Sequence, residues 1–193
     1  MIDEKIASFI FELGTLRFIQ REGWKLIGVK HPESVAEHSL RAAQIGYILA
    51  KLEGYPHPEE VCTLLVFHDI AECRIGDIHK VANRYIERRE KESVVEQLRD
   101  LDEIGESIMR LWQRVEERVG EAGVIARDAD LLDLAATACE YLSQGYKEAE
   151  DWIINTRKRL QTVSAKKLLD ALQRGNPYRW WRGLKKIDDI KRN

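Results

Sequence analysis

The stretch VCTLLVFHDIAECRIGD, Val61 to Asp77, begins as an apolar helix and ends in a run of ionisable side chains. Val61, Leu64, Leu65 and His68 fall on one helical face, so His68 is expected to point into the core. Asp69 follows directly, and Glu72 lies one turn further on, stacked beneath His68. A buried imidazole beside two carboxylates leaves uncompensated charge unless a cation sits among them. A divalent ion is the economical solution, because it removes the carboxylate repulsion and takes the neutral imidazole as a ligand. The stretch therefore reads as a metal-binding end of a core helix, and distant segments must supply the remaining ligands.

Among the other histidines, His57 and His79 fall in expected loops and His31 precedes a proline. His38 differs. It follows Ser34 and Glu37, whose S-x-x-E spacing is that of a capping box, and it lies in line with Ala42, Ile45 and Leu49. His38 thus faces inward near the start of a helix expected to run to about Leu52 and to end at Gly54. An oxygen ligand from a later helix is available in RDADLLD, which offers Asp128, Asp130 and Asp133. Asp130 shares a face with Ala126, Leu134 and Thr137, and Asp128 shares one with Leu131, Leu132 and Ala135. Facing alone leaves both open, and Asp133, one turn from Asp130, is placed to support the ligands.

The remaining segments also read at the helical period, with no competing β-alternation. A first helix begins near Asp3, with Ile6, Phe9, Ile10, Leu13 and Leu16 as its apolar stripe. Pro58, Glu59 and Glu60 suit the first turn of the helix carrying the opening stretch, expected to stop near Glu72. CRIGDIHKVA reads as a loop. Residues 83–119 read as two helices breaking near Asp102, Gly120 and Gly123 as punctuation, and the RDADLLD helix as closing at Gly145. A long helix is expected from about Tyr146 to Arg174. The fold class is all-α: a single compact helical domain over 1–175 with a long C-terminal helix. Residues 176–193 form a basic and aromatic extension in which Trp180, Leu184 and Ile187 recur at helical spacing, suited to packing on the domain or on a partner subunit.

Composition narrows the function classes. The 193 residues are 44% hydrophobic and 33% charged, which is globular and sufficient for one core. A net charge of −2 gives no general attraction to nucleic acid or anionic membrane. No apolar run approaches the ~20 residues of a membrane helix, and the acidic N-terminus does not resemble a secretory signal, so a soluble, cytoplasmic protein is expected. The three cysteines, Cys62, Cys73 and Cys139, form no CxxC pair and suit free thiols in a reducing compartment. Cys73 lies beside the ionisable cluster, but a nucleophilic role would require an activating base.

The series His38, His68–Asp69, Asp130, spread over three helices, resembles the HD-domain phosphohydrolase superfamily. REGW, PESVAEHSLRAA, HDIAECRIGD and ARDADLLDLAATACEYL look more narrowly like its 5′-deoxynucleotidase branch, and the resemblance covers most of the chain. It implies an HD-type fold holding one divalent ion (Co²⁺, Mn²⁺ or Mg²⁺) through His38, His68, Asp69 and Asp130, Asp130 matching the last acid of the family's D-A-D segment. It implies hydrolysis of the 5′-phosphate of deoxyribonucleoside monophosphates by a homodimer. Glu72 matches an acid for proton transfer, and Asp77 an acid near the sugar and the reacting phosphate. Trp24 matches an aromatic against the deoxyribose. Arg21, in R-x-G-W, matches the phosphate anchor, since Gly23 stands directly before the Trp. Lys80 and Arg84 are reserve cations. Two alternatives remain: another phosphohydrolase of the superfamily, acting on deoxynucleoside triphosphates, cyclic nucleotides or phosphonates, or a non-catalytic metal-stabilised binding module.

Overall fold

A computed structural model describes residues 1–184. Its helices in chain order are α1 (Ile2–Leu13), α2 (Val35–Glu53), α3 (Pro58–Val66), α4 (Glu72–Ile75), α5 (Lys80–Asn83), α6 (Glu90–Leu98), α7 (Asp102–Glu116), α8 (Gly120–Ser143), α9 (Glu150–Arg159) and α10 (Val163–Arg174). Short 3₁₀ turns join them. The one β feature among the described residues is an isolated bridge between Gln20 and Ser34. No described helix is long and apolar enough to cross a membrane.

The centre is a trio of α2, α3 and α8. Gly46 of α2 allows α3 to approach closely, since a Cβ there would strike Leu65 and Val61. Helix α8 is covered on most sides, with Ala122, Ala126, Ala129, Ala135 and Ala138 keeping its surface thin enough for neighbours to close around it. Gly123 lies inside α8 rather than breaking it; a Cβ there would collide with the carbonyl oxygen of Arg114, in the last turn of α7. A second, smaller core joins Phe9, Ile70, Val94, Leu98, Ile108 and Trp112 of α1, the α3–α4 turn, α6 and α7. In α1, Phe9 is buried but Ile10 faces outward.

The caps behave as the sequence indicates. Ser34 Oγ accepts from Glu37 N (3.2 Å), and Glu37 Oε2 accepts from Ser34 N (2.7 Å). Gly54 ends α2 at φ 78°, and Pro58 opens α3.

Three expectations are corrected. First, α3 stops at Val66, so His68 and Asp69 sit in a turn, not on a continuous helix. The cause is local: the His68 ring donates Nδ1–H to the Leu65 carbonyl (2.7 Å) that the helix would otherwise use. The chain then recoils through i→i+3 bonds into α4, so Cys73 is helical. Burial pushes the Cys73 thiol up, which leaves it an unactivated thiol.

Second, the expected long helix from Tyr146 to Arg174 is two helices, α9 and α10. Leu160 is buried in an extended conformation (ψ 135°), and the buried Asp128 accepts from Gln161 N (3.0 Å) and Thr162 N (2.7 Å). Thr162 then caps α10 by accepting from Ala165 N (3.2 Å). Asp128→Ala would strand two backbone N–H groups. It is expected to lower unfolding stability in urea by about 2–4 kcal/mol. A loss under half of that would show that the break is held by packing instead.

Third, among the described residues only one 3₁₀ turn, Arg179–Trp181, follows Pro177, and Trp180 is 75% exposed. Leu184 is 63% exposed, so both side chains are largely uncovered among the described residues. Ile187 lies outside the described residues.

Candidate active site

Three segments converge at the N-terminal half of α2, the turn after α3 and the middle of α8. The close α2–α3 contact brings His38 Nε2 to 3.3 Å from His68 Nε2. Asp69 Oδ2 lies 3.1 Å from His68 Nε2 and 3.5 Å from His38 Nε2. Asp130 Oδ1 lies 3.2 Å and 3.9 Å from His38 Nε2 and His68 Nε2. Two donors at right angles about a first-row cation, each ~2.1 Å from it, are ~3 Å apart. The spacing therefore fits one divalent ion.

The histidine tautomers support the fit. His68 Nδ1 faces a carbonyl oxygen, which can only accept, so that nitrogen carries the hydrogen. His38 Nδ1 lies 2.6 Å from Asp133 Oδ2. Each neutral ring then turns an Nε2 lone pair toward the other, an arrangement that requires a proton or a cation between them. In the protein alone His38 takes the proton. Burial and Arg21 oppose its charge, but hydrogen bonds to Asp130 and Asp133 push it up to about 10.

The structure separates the acids that facing left open. Asp130 enters the cluster, Asp128 holds the α9–α10 break, and Asp133 orients His38. Asp133 is itself held by Arg41 Nε, and Arg41 also reaches Glu140 (2.8 Å), Thr137 and Glu33. Glu33, His38 and Asp133 also present donors to one another, but the Arg41 guanidinium already supplies the positive charge there. Arg41 was not singled out in the sequence; its place four residues before Ile45 on α2 carries no motif.

Asp69 and Asp130 of the cluster line a cavity of about 560 Å³, with His38 and His68 buried behind them. Glu72 lies in its wall, 4% exposed, with Oε2 lacking any hydrogen-bond partner. Burial first, then Asp69, push its carboxyl up to about 9. Asp69 and Asp130 go the other way. Burial opposes their charge, but His68 and Arg21 hold Asp69, and Arg127 and His38 hold Asp130, well below the usual carboxylate range.

Arg21 NH1 lies 3.3 Å from Asp69 Oδ2 and 4.0 Å from Asp77 Oδ1. Asp77 Oδ2 accepts from Glu22 N (2.6 Å), so this acid pins the R-x-G-W segment beside the cluster. Trp24 contributes to the cavity wall but is 1% exposed, stacked on Trp152 (centroids 5.1 Å) and edge-on to Tyr141 (5.0 Å). Trp152, on α9, is the more accessible of the two and was not foreseen, because it lies in a segment read as one uninterrupted helix. Lys80 lines the cavity; Arg84 does not, and Arg88, Arg127 and Arg159 do. The signal for Arg127 was available: it stands three residues before Asp130, and its NH1 lies 3.2 Å from Asp130 Oδ2.

The HD domain family model matches residues 13–172. The 5′-deoxynucleotidase HDDC2 of Danio rerio is 28% identical over 142 residues, covering 72% of this chain and 70% of its own. The protein of the same name from Dictyostelium discoideum is 30% identical over 144 residues, covering 69% and 76%. The solved structure of a conserved hypothetical protein from Pyrococcus furiosus superposes with a TM-score of 0.72 at 25% identity, over 88% of this chain and 99% of that one. The match over most of the length, together with the convergent His and Asp donors, establishes that the chain belongs to the HD domain family.

Proposed function

We propose that the protein is a divalent-metal-dependent 5′-deoxynucleotidase, which removes the 5′-phosphate from deoxyribonucleoside monophosphates. The observation that carries this reading is the donor cluster of His38, His68, Asp69 and Asp130, whose two aspartates line a nucleotide-sized cavity together with Glu72 and Arg21. Its relatives' shared name gives the reaction.

When bound, a divalent ion in this donor set supplies Lewis-acid polarisation of the phosphoryl group and acidifies water. Mixed nitrogen and oxygen ligation suits Co²⁺, Mn²⁺ or Mg²⁺. Arg21 directs its planar fork at the phosphoryl oxygens from the Asp69 side. Glu72 exchanges a proton with the attacking water or the departing 5′-oxygen; its unpartnered Oε2 is free for that contact. Asp77 positions Arg21 and borders the sugar. Trp24 acts from beneath Trp152, as the rigid back of the wall against the deoxyribose rather than as a freely exposed face.

The test is phosphate release from a panel of deoxy- and ribonucleoside monophosphates with Co²⁺, Mn²⁺, Mg²⁺ and EDTA. Deoxynucleotide hydrolysis that EDTA abolishes is expected. Preference for deoxynucleoside triphosphates, cyclic nucleotides or phosphonates would replace this reading, and no release with metal bound would leave a binding module. A ribonucleotide turned over as fast as its deoxy analogue would remove the steric role of Trp24.

Asp133→Asn keeps the shape of the carboxylate but weakens the anchor on His38 Nδ1. It is expected to reduce metal affinity roughly tenfold to a hundredfold, measured by chelator competition. Unchanged affinity would show that packing alone orients the ring.

Residues 1–175 are assigned as the catalytic unit and 176–193 as its extension. The cysteines Cys62, Cys73 and Cys139 are all unpaired, which supports a reducing, cytoplasmic setting. Leu40, Tyr47, Ile48 and Leu52 form an exposed apolar stripe on α2, which supports a homodimer. Sedimentation is expected at twice the chain mass, and Leu40→Glu combined with Ile48→Glu is expected to give folded monomers. A wild-type monomer at micromolar concentration would end that assignment.

A further inference from the structure

Arg159, the last residue of α9, carries no side-chain hydrogen bond or ion pair among the described residues, yet it is half-buried in the wall of the active-site cavity. Unpartnered cations are ordinary on an open surface. In a cavity wall they are costly, because desolvation is not offset by a counter-charge.

The surroundings increase that cost. Arg118 NH1 donates to the Arg159 carbonyl oxygen (3.3 Å), which places a second guanidinium against the end of α9. Arg127 faces the same cavity. The acids that act most strongly on Arg159 are Asp130 and Glu116, and both already pair with Arg127, at 3.2 Å and 3.3 Å. Neither carboxylate is therefore free for Arg159, and Asp130 is also a donor of the metal cluster. Burial first, then Arg127, lower the Arg159 pKa, which is the signature of a cation short of anions. Lys80 lines the same cavity without a side-chain hydrogen bond or ion pair among the described residues, and feels Arg159 as a repelling charge and Asp151 as an attracting one.

Arg21, which lines the same cavity, is placed differently. Arg21 already has Asp69 and Asp77 as counter-charges. Of the two sides of the cluster, the one bearing Arg159 has unspent capacity to bind an anion. That capacity grows when a divalent ion takes up the charge of Asp130.

We propose that Arg159 is a substrate-binding residue, which grips a non-bridging oxygen of the substrate phosphoryl group from the Asp130 side of the cavity, in addition to Arg21, with Arg127 holding Asp130 and Glu116 in place. This rests on the phosphohydrolase reading of the site. It adds a phosphate contact from α9, a helix that none of the sequence motifs reaches.

The experiment compares wild type, Arg159→Met and Arg159→Lys, each loaded with Mn²⁺. The probes are inorganic phosphate binding by calorimetry, steady-state hydrolysis of a deoxynucleoside monophosphate, Mn²⁺ affinity and thermal unfolding. Arg159→Met is expected to weaken phosphate binding roughly tenfold to a hundredfold and to raise KM similarly. Mn²⁺ affinity should stay within about twofold, the scatter set by indirect electrostatics. The melting temperature should stay level or rise, because an unpaired, repelled charge has been removed. Arg159→Lys keeps the charge without the fork and should fall between the two.

Unchanged phosphate binding in Arg159→Met overturns the proposal, as does a fall in melting temperature with phosphate binding retained, which would mark a structural residue. If Arg159→Met does not fold, Arg159→Lys decides, and wild-type phosphate affinity there overturns it. A wild type that binds phosphate but releases none from deoxynucleotides would instead defeat the deoxynucleotidase reading and leave the phosphate contact standing.

Discussion

Asp130→Asn is expected to reduce kcat/KM by roughly a thousandfold or more and to weaken metal binding in parallel. Asp130 has two tasks that an amide cannot share. Its Oδ1 faces His38 Nε2 at 3.2 Å, within the donor cluster, while Oδ2 faces Arg127 at 3.2 Å. An asparagine removes the charge from the first task. It also offers an N–H₂ group that must point either at the metal position or at a guanidinium, both of which repel it. Arg127 is then left with Glu116 alone, at 3.3 Å. Steady-state kinetics over a metal titration, paired with a chelator-competition affinity, checks this. Full wild-type activity at saturating metal would mean that three donors suffice and that Asp130 is a neighbour rather than a ligand.

Glu72→Gln is expected to lower kcat by about 10²–10⁴-fold with little change in KM, as removal of a proton-transfer group should. The same change should stabilise the metal-free protein, and the sign follows from linkage. The carboxyl of Glu72 is raised from 4.5 to about 9 by burial and then by Asp69. A group raised on folding contributes its stability fully below its unfolded value and loses it as pH climbs through the folded one. For wild type this loss spans roughly pH 4.5 to 9, whereas glutamine, permanently neutral, does not lose it. The melting-temperature difference between variant and wild type, both metal-free, should therefore widen with pH across that window. A difference independent of pH would show that Glu72 is not protonated in the folded apo protein, and unimpaired hydrolysis would remove its catalytic role altogether.

These two residues show how differently the site's parts are written in the chain. Glu72 could be placed beside His68 from helical spacing, although the segment proves to be a turn followed by a short helix. Glu72 still reaches the site, lining the cavity within range of the Asp69 charge, because the turn's i→i+3 bonds advance the chain much as a helix does. What spacing could not decide was its protonation. Burial and Asp69 press one way, Arg21 presses the other, and only their arrangement in space sets the balance. For Asp130 the reverse holds: its helix and inward face were legible, but so were those of Asp128. The difference between them lies 33 or more residues away, where Gln161 and Thr162 supply the amides that claim Asp128.

Periodicity, caps and turn residues determined by themselves that the fold is all-helical, where α2 begins, and that His38 and His68 face inward. Such features depend on neighbours within a few residues, and those are adjacent in the chain. Tertiary structure alone decided that α9 and α10 are separate, that Trp24 lies under Trp152, that Arg41 steadies Asp133, and that Arg159 faces the cavity without a counter-charge. Each of these depends on which distant donor or acceptor satisfies a buried polar or charged group, and that matching is settled only when the helices pack.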